Sequence, residues 1–184
     1  KKITKEKSDF YYHNMHIDSL KKNFFNKKLY SHFKNQLKIK FDELIINGND
    51  IIQSSVVVRK SLIKKVGYIS EEKNLVSWED FDLWLKISQV TNKFNRINKC
   101  LGKYFISEDK KEKHQRFLKN IKYFKRKYRI SINKIIKKYN LNEIWWIQYA
   151  KALNDYNHGN FIEAKKKFNK VTIHNNKRIK LNII

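Results

Sequence analysis

From Glu79 the sequence reads Glu-Asp-Phe-Asp-Leu-Trp-Leu-Lys-Ile-Ser-Gln-Val90, a helical period with apolar residues around most of its circumference. Phe81, Trp84, Leu85 and Ser88 fall on one face, and Leu83, Ile87 and Val90 on the next. Only Asp82, Lys86 and Gln89 are left for water, with Asp82 and Lys86 spaced as an exposed i,i+4 pair. A helix this apolar has to be covered on several sides, so the rest of the chain must supply a sheet and further helices around it. Its beginning carries two adjacent carboxylates, Glu79 and Asp80, just after Ser77 and Trp78.

The flanking segments alternate in the way an α/β fold requires. Residues 9–17, rich in aromatic side chains, predict a strand. From Leu29 the apolar positions Leu29, Phe33, Leu37, Phe41, Leu44 and Ile45 predict an amphipathic helix that stops at Asn47-Gly48. Ile51-Ile-Gln-Ser-Ser-Val-Val-Val58 is β-branched and predicts a buried strand, and a short helix from Ser61 to Val66 is stopped by Gly67. Segments 93–98 and 100–106 predict two short strands forming a hairpin.

Beyond Ser107 the character changes. Residues 110–138 hold thirteen Lys or Arg against one acid, Glu112, with Phe117, Ile121, Phe124 and Tyr128 at helical spacing. This predicts a basic amphipathic helix broken near 129–131, followed by helices over 142–157 and 161–172. The expected organisation is an α/β part over 1–107 and an all-α, basic part over 108–184.

An apolar content of 41%, with 14% aromatic residues, suffices for a core despite a net charge of +25. The absence of proline and the abundance of Lys, Asn and Ile point to an AT-rich coding bias. Much of the lysine is therefore expected on solvated faces, and attraction to anionic lipid is favoured over nucleic acid as the partner of the basic helices. No run is long and apolar enough to span a bilayer, and no secretory signal pattern opens the chain. One cysteine, Cys100, rules out an intramolecular disulfide and fits a reducing compartment. A first residue of Lys rather than Met suggests a fragment or a processed chain.

At Asp80 two readings compete. Ser77-x-x-Asp80 fits a capping box, in which the acid bonds back to the cap residue. A carboxylate held at the N-terminus of a rigid helix also suits a general base that takes a proton from a hydroxyl. The wider sequence bears on this choice. Gly48-Asn-x-Ile-x-Gln-Ser-Ser-Val-Val-Val-Arg-Lys60, Leu62-Ile-x-Lys-Val-Gly67, Glu71 and Trp78-Glu-Asp-x-Asp-Leu-Trp-Leu-Lys86 occur in this order, followed by Phe94, Ile97, Leu101-Gly102 and Tyr104. The ordered set resembles the C-terminal, acceptor-side half of the family 2 glycosyltransferases, over residues 9–107. The resemblance implies a partial GT-A, Rossmann-like domain followed by a helical extension. It also implies an inverting transfer of a sugar from a nucleotide-sugar to a glycan or lipid-linked acceptor in surface polysaccharide or lipopolysaccharide synthesis.

On that resemblance Asp80 is the general base and Glu79 supports it. Ser54 and Ser55 border the acceptor side, and Trp78 and Trp84 offer aromatic faces to a sugar, with core packing the alternative for Trp84. Lys86 stands where the family more often has Arg, Tyr68-Ile-Ser70 replaces a Gly-Phe-Asp run, and Tyr104-Phe-Ile-Ser107 stands where many members have Tyr-Arg-x-His. A divalent metal, Mg or Mn, is implied for the parent enzyme, but no Asp-x-Asp precedes the Ser54-Ser55 strand, where the family's metal ligands lie, and this chain alone is expected to be inactive. The implied location is cytoplasmic, peripheral on the inner face of a membrane. A different class remains open: a non-catalytic basic helical module that binds RNA, anionic membrane or a protein.

Two further patterns deserve placement. His13-x-x-His16 has a metal-like spacing, but residues three apart on a strand point to opposite faces. Trp145-Trp-x-x-Tyr-Ala-x-Ala152 with Gly159-Asn-Phe-x-Glu-Ala164-x-x-x-Phe168 resembles one tetratricopeptide unit. Small residues at 152 and 164 let two helices approach, and Phe161 and Phe168 are expected to fill the gap.

Overall fold

A computed structural model describes residues 8–19, 29–30, 39–106 and 110–171. The chain is mixed α/β and divides into two compact units, Lys1–Lys113 and His114–Ile184. The division falls inside the first turn of a helix, six residues beyond the change of character at 107.

In the first unit the central strand is β1, Phe10–Ser19. On one side it pairs in parallel with β4, Phe94–Ile106. On the other it pairs antiparallel with β3, Val56–Val58, through Phe10–Tyr12, and with β2, Leu29–Tyr30, through His16 and Ile17. Phe10, Tyr11, Tyr12 and Met15 are all buried, so both faces of β1 are covered over its first half. That is what the aromatic content of this strand demands.

β4 corrects the expectation of a hairpin. Residues 94–106 form one strand, and the register against β1 shifts on either side of Asn14, so that His13 opposes Ile97, Asn14 opposes Cys100 and Met15 opposes Gly102. The extra residues around Asn98-Lys99, which look like a turn in the sequence, are absorbed as an irregularity that leaves the strand direction unchanged. Gly102 fits this close pairing, since a Cβ there would lie 2.9 Å from Met15 Sδ. Beside the bulge, Arg96 donates twice to Asn14 Oδ1, at 3.1 and 2.9 Å.

The helix expected from Leu29 also changes. Leu29 and Tyr30 are strand β2, and residues 31–38 lie outside the described residues. Helix α1 spans Phe41–Asn47, buries Leu44, Ile45 and Ile46, and ends at Gly48, whose φ of 81° and N–H bond to the Leu44 carbonyl close it as expected. The segment expected as a buried strand over 51–58 is a 3₁₀ turn at Gln53–Ser55 followed by the short β3. A Ser55 Oγ bond to the Ile52 carbonyl, 2.7 Å, favours the turn, because hydroxyls near the backbone compete with the ladder. Helix α2, Lys60–Lys65, is followed by Gly67 at φ 80°.

Helix α3, Glu79–Val90, is the apolar helix of the sequence, with Phe81, Leu83, Trp84, Leu85 and Ile87 buried. Trp84 and Phe94 both meet Phe10, with ring centroids 5.0 and 4.6 Å away. Asp82 corrects the sequence reading. It is only 2% exposed, and it pairs at 3.0 Å with Lys86, which keeps part of its surface in water.

Among the described residues the second unit is helical throughout. Helix α4 is Lys110–Lys127 and α5 is Arg129–Lys138, broken at Tyr128, just before the 129–131 stretch where the sequence predicts the break. Phe124 packs on Tyr128 and Trp146, and Ile132, Ile135, Ile144 and Ile147 are buried as well. α6, Trp145–Asn157, and α7, Phe161–Asn169, form a close pair in which Ala152 and Ala164 are buried. Tyr149 meets Phe168 between them. Phe161 does not fill that gap: it is 61% exposed and lies edge-on against Tyr156. No helix among the described residues is long and apolar enough to cross a membrane.

Candidate functional site

Three segments build the surroundings of Asp80. A 3₁₀ turn at Lys73–Leu75 leads into Ser77, which adopts φ 70°, a left-handed conformation that costs a non-glycine residue energy. Trp78, the residue that caps α3, donates its N–H to the Leu75 carbonyl at 2.7 Å, and its ring lies edge-on to Phe81 at 5.9 Å. The third segment is the loop after α1. Its Ile51, 1% exposed, accepts a 3.4 Å bond from Trp84 Nε1. The first turns of α3 are thus held by packing beneath and by a strained turn before them.

The cap position is held by Trp78, which makes no side-chain cap bond, and Ser77 lies one residue before it. Asp80 instead takes the 2.6 Å hydrogen bond of the Phe81 N–H, one of the amides that a helix start leaves without a carbonyl partner. The Asn49 side chain and the Asp80 backbone N–H also favour the ionised form of this carboxyl.

Burial is the dominant influence on this carboxyl and pushes it above the usual aspartate value. The Phe81 and Asn49 bonds work against that rise, and the negative charge of Glu79 adds to it. Glu79 is half-buried, and its Oε2 is enclosed without a hydrogen-bond partner among the described residues. An ionised carboxyl accepts at about four lone-pair sites. The hydrogen bond to Asp80 runs from the Phe81 N–H to Oδ1, so the carboxylate retains acceptor capacity.

The other sequence-predicted residues separate into distinct roles. Trp78 is buried against Phe81. Trp84, 2% exposed, is a core residue, edge-on to Phe10 and bonded to the Ile51 carbonyl, so it presents no face to a ligand. Ser55 is buried and its hydroxyl is engaged by Ile52, whereas Ser54 is exposed. Asn49 was not singled out by sequence reasoning. Its place in the matched Gly48-Asn49 pair was visible, but its bond to a residue thirty-one positions away was not.

Glu79 and Asp80 gather no third His, Cys, Asp or Glu into a metal-holding group among the described residues. Among the described residues the divalent ion implied by the resemblance therefore finds no ligand set. His13 and His16 join no such group either. Compared with family models, with curated proteins and with solved structures, the chain shows no match.

Proposed function

We propose that this chain is the acceptor-side part of an inverting glycosyltransferase, with Asp80 as its general base. The supporting observation is the state of that carboxylate: anchored at the start of a buried helix, drawn above its usual proton affinity by desolvation, and left with acceptor capacity. In the proposed step the acceptor hydroxyl oxygen bonds to the anomeric carbon of a nucleotide-sugar. The bond from that carbon to the diphosphate oxygen breaks with its electron pair, and the hydroxyl proton passes to Asp80. Glu79 raises the basicity of Asp80 through its charge. The acceptor is a glycan or a lipid-linked glycan, and the location is the cytoplasmic face of a membrane.

The helical unit supports the lipid side of this reading. Arg116, Lys119, Lys122, Arg126, Lys134 and Lys137 are exposed along α4 and α5, and Ile130 is 68% exposed among them. A cationic surface with an apolar residue at its crest suits an anionic bilayer. The same surface favours a second reading, a non-catalytic module that binds RNA, anionic membrane or a protein.

The test is sugar transfer by the product of the full reading frame, measured with a panel of nucleotide-sugars for wild type and Asp80→Asn. Transfer that the substitution abolishes in a folded protein supports the enzyme. Absence of any transfer, with retention on vesicles or RNA, supports the module.

A further inference from the structure

The turn that joins α6 to α7 gathers three large apolar side chains at the surface: Tyr156, 54% exposed, Phe161, 61%, and Ile162, 74%. The Tyr156 and Phe161 rings meet edge-on at 5.4 Å, outside the space between the two helices, and Ile162 follows Phe161 in the first turn of α7. At the other end of α6, Trp146 is seated on Phe124. Ten residues of helix separate Trp146 from Tyr156, so the turn stands about 15 Å along α6 from that contact.

The backbone of this turn is closed on itself. Gly159, at φ 80°, reverses the chain. The N–H groups of His158, Gly159, Asn160 and Phe161 all donate to carbonyls between Asn154 and Gly159, at 2.9–3.2 Å. The His158 ring Nδ1 bonds the Asn154 carbonyl as well, at 2.8 Å. A turn whose amides are already bonded loses little on leaving bulk water.

Charge surrounds the apolar group. Asp155 is paired with Lys167, and Glu163 with Lys166 at 2.8 Å, so both acids near the turn are matched by a lysine. Lys165 is exposed and has no acid partner among the described residues. Lys165 follows Phe161 by four residues and Lys166 follows Ile162 by four, which places each cation one helical turn from an exposed apolar side chain.

We propose that the α6–α7 turn inserts Tyr156, Phe161 and Ile162 into the headgroup–acyl boundary of an anionic lipid bilayer, with Lys165 and Lys166 at the level of the phosphates. The inference deepens the membrane side of the proposed function and is independent of the chemistry at Asp80. The α4–α5 surface supplies attraction but offers a bilayer little apolar area beyond Ile130, whereas the turn supplies the apolar grip. Lysine stems lie along apolar surface while their ammonium groups stay with the headgroups, so the flanking cations match this occupant. Covering the patch with a second copy of a chain of net charge +25 would bring like charges together.

The experiment measures partition of the chain onto phosphatidylcholine vesicles with and without phosphatidylglycerol. It compares wild type with Ile162→Ser and with Phe161→Ser/Ile162→Ser, which keep every charge. The double variant is expected to bind the anionic vesicles at least about tenfold more weakly, the order of one large apolar side chain left in water, and Ile162→Ser less so. At about 1 M salt, where the Debye length falls to about 3 Å, residual wild-type binding should be lost in the double variant. An environment-sensitive dye on Ile162→Cys, in a Cys100→Ser background, should brighten on anionic vesicles. Equal partition of wild type and folded variants, or a dye that stays dim on bound chain, overturns the proposal and leaves a contact made by charge alone. Wild type that binds no vesicles overturns it together with the membrane location, while the Asp80→Asn transfer assay still decides the enzyme. Self-association that the double variant abolishes, without vesicle binding, assigns the turn to a second copy and overturns it too. Should the double variant lose helicity by circular dichroism, Ile162→Ser and the dye decide.

Discussion

Asp80 in the α/β unit and Glu143 in the helical unit both lose water on folding, and their carboxyls move in opposite directions. Burial works to raise Glu143 as it raises Asp80, but Lys151 at 2.7 Å and Lys125 at 3.2 Å outweigh it and hold Glu143 below its usual value. Asp80 has hydrogen bonds from neutral groups and a like-charged neighbour, and burial prevails. The difference lies in what the fold sets beside each acid. Where cations meet the carboxylate, ionisation ties helices together; where only amides meet it, the carboxylate keeps an appetite for a proton. Asp82, two residues from Asp80, also meets a cation, Lys86 of its own helix, at 3.0 Å.

Five substitutions, one of them in a double variant, break or sharpen that contrast, measured by urea unfolding. Trp84→Ala removes the ring that seats α3 on Phe10 and is expected to cost about 3–5 kcal/mol, the range for a large buried aromatic. A loss below about 1 kcal/mol would mean that the platform under Asp80 is held by something other than this contact. Lys86→Met leaves the buried Asp82 carboxylate without its cation. The expected loss is about 2 kcal/mol, below the figure for a fully buried pair because Lys86 keeps part of its surface in water. Asp82→Asn in that background should recover part of the loss, and no recovery would remove Asp82 from the comparison.

Glu143→Gln is expected to cost about 1 kcal/mol at neutral pH, since both lysines are partly solvated. The folded carboxyl lies below its unfolded value, so this contribution is present above the ordinary carboxylate range. It is lost as pH falls through the folded value. Asp80→Asn has the smallest effect and the opposite sign. Because the folded carboxyl lies above its unfolded value, the wild type loses stability as pH rises from the ordinary aspartate value to the raised one. Asp80→Asn should therefore be slightly more stable than wild type at neutral pH, with the gain vanishing in acid. A loss of stability at neutral pH would return Asp80 to the role of a helix cap.

Elements ruled by neighbours in sequence were legible from it. The apolar circumference predicted α3, Gly48 and Gly67 marked the ends of α1 and α2, and the small residues at 152 and 164 predicted the close approach of α6 and α7. Features ruled by distant partners were not. Asn98-Lys99 reads as a turn unless β1 is known to run beside it and hold the direction of β4. Asp82 and Lys86 were legible as a pair, but burial of that pair depends on what covers α3. Asp80 drew notice for its position at a helix start, whereas Asn49 is joined to it only by folding.

The account turns on whether a proton must pass to Asp80 during sugar transfer. The direct measurement is kcat for transfer from a nucleotide-sugar by the full reading frame's product, wild type against Asp80→Asn, with the fold of both checked by circular dichroism. The account predicts a fall of about 10²–10⁴-fold in a variant that is folded and no less stable at neutral pH. Turnover by folded Asp80→Asn at the wild-type rate would contradict it.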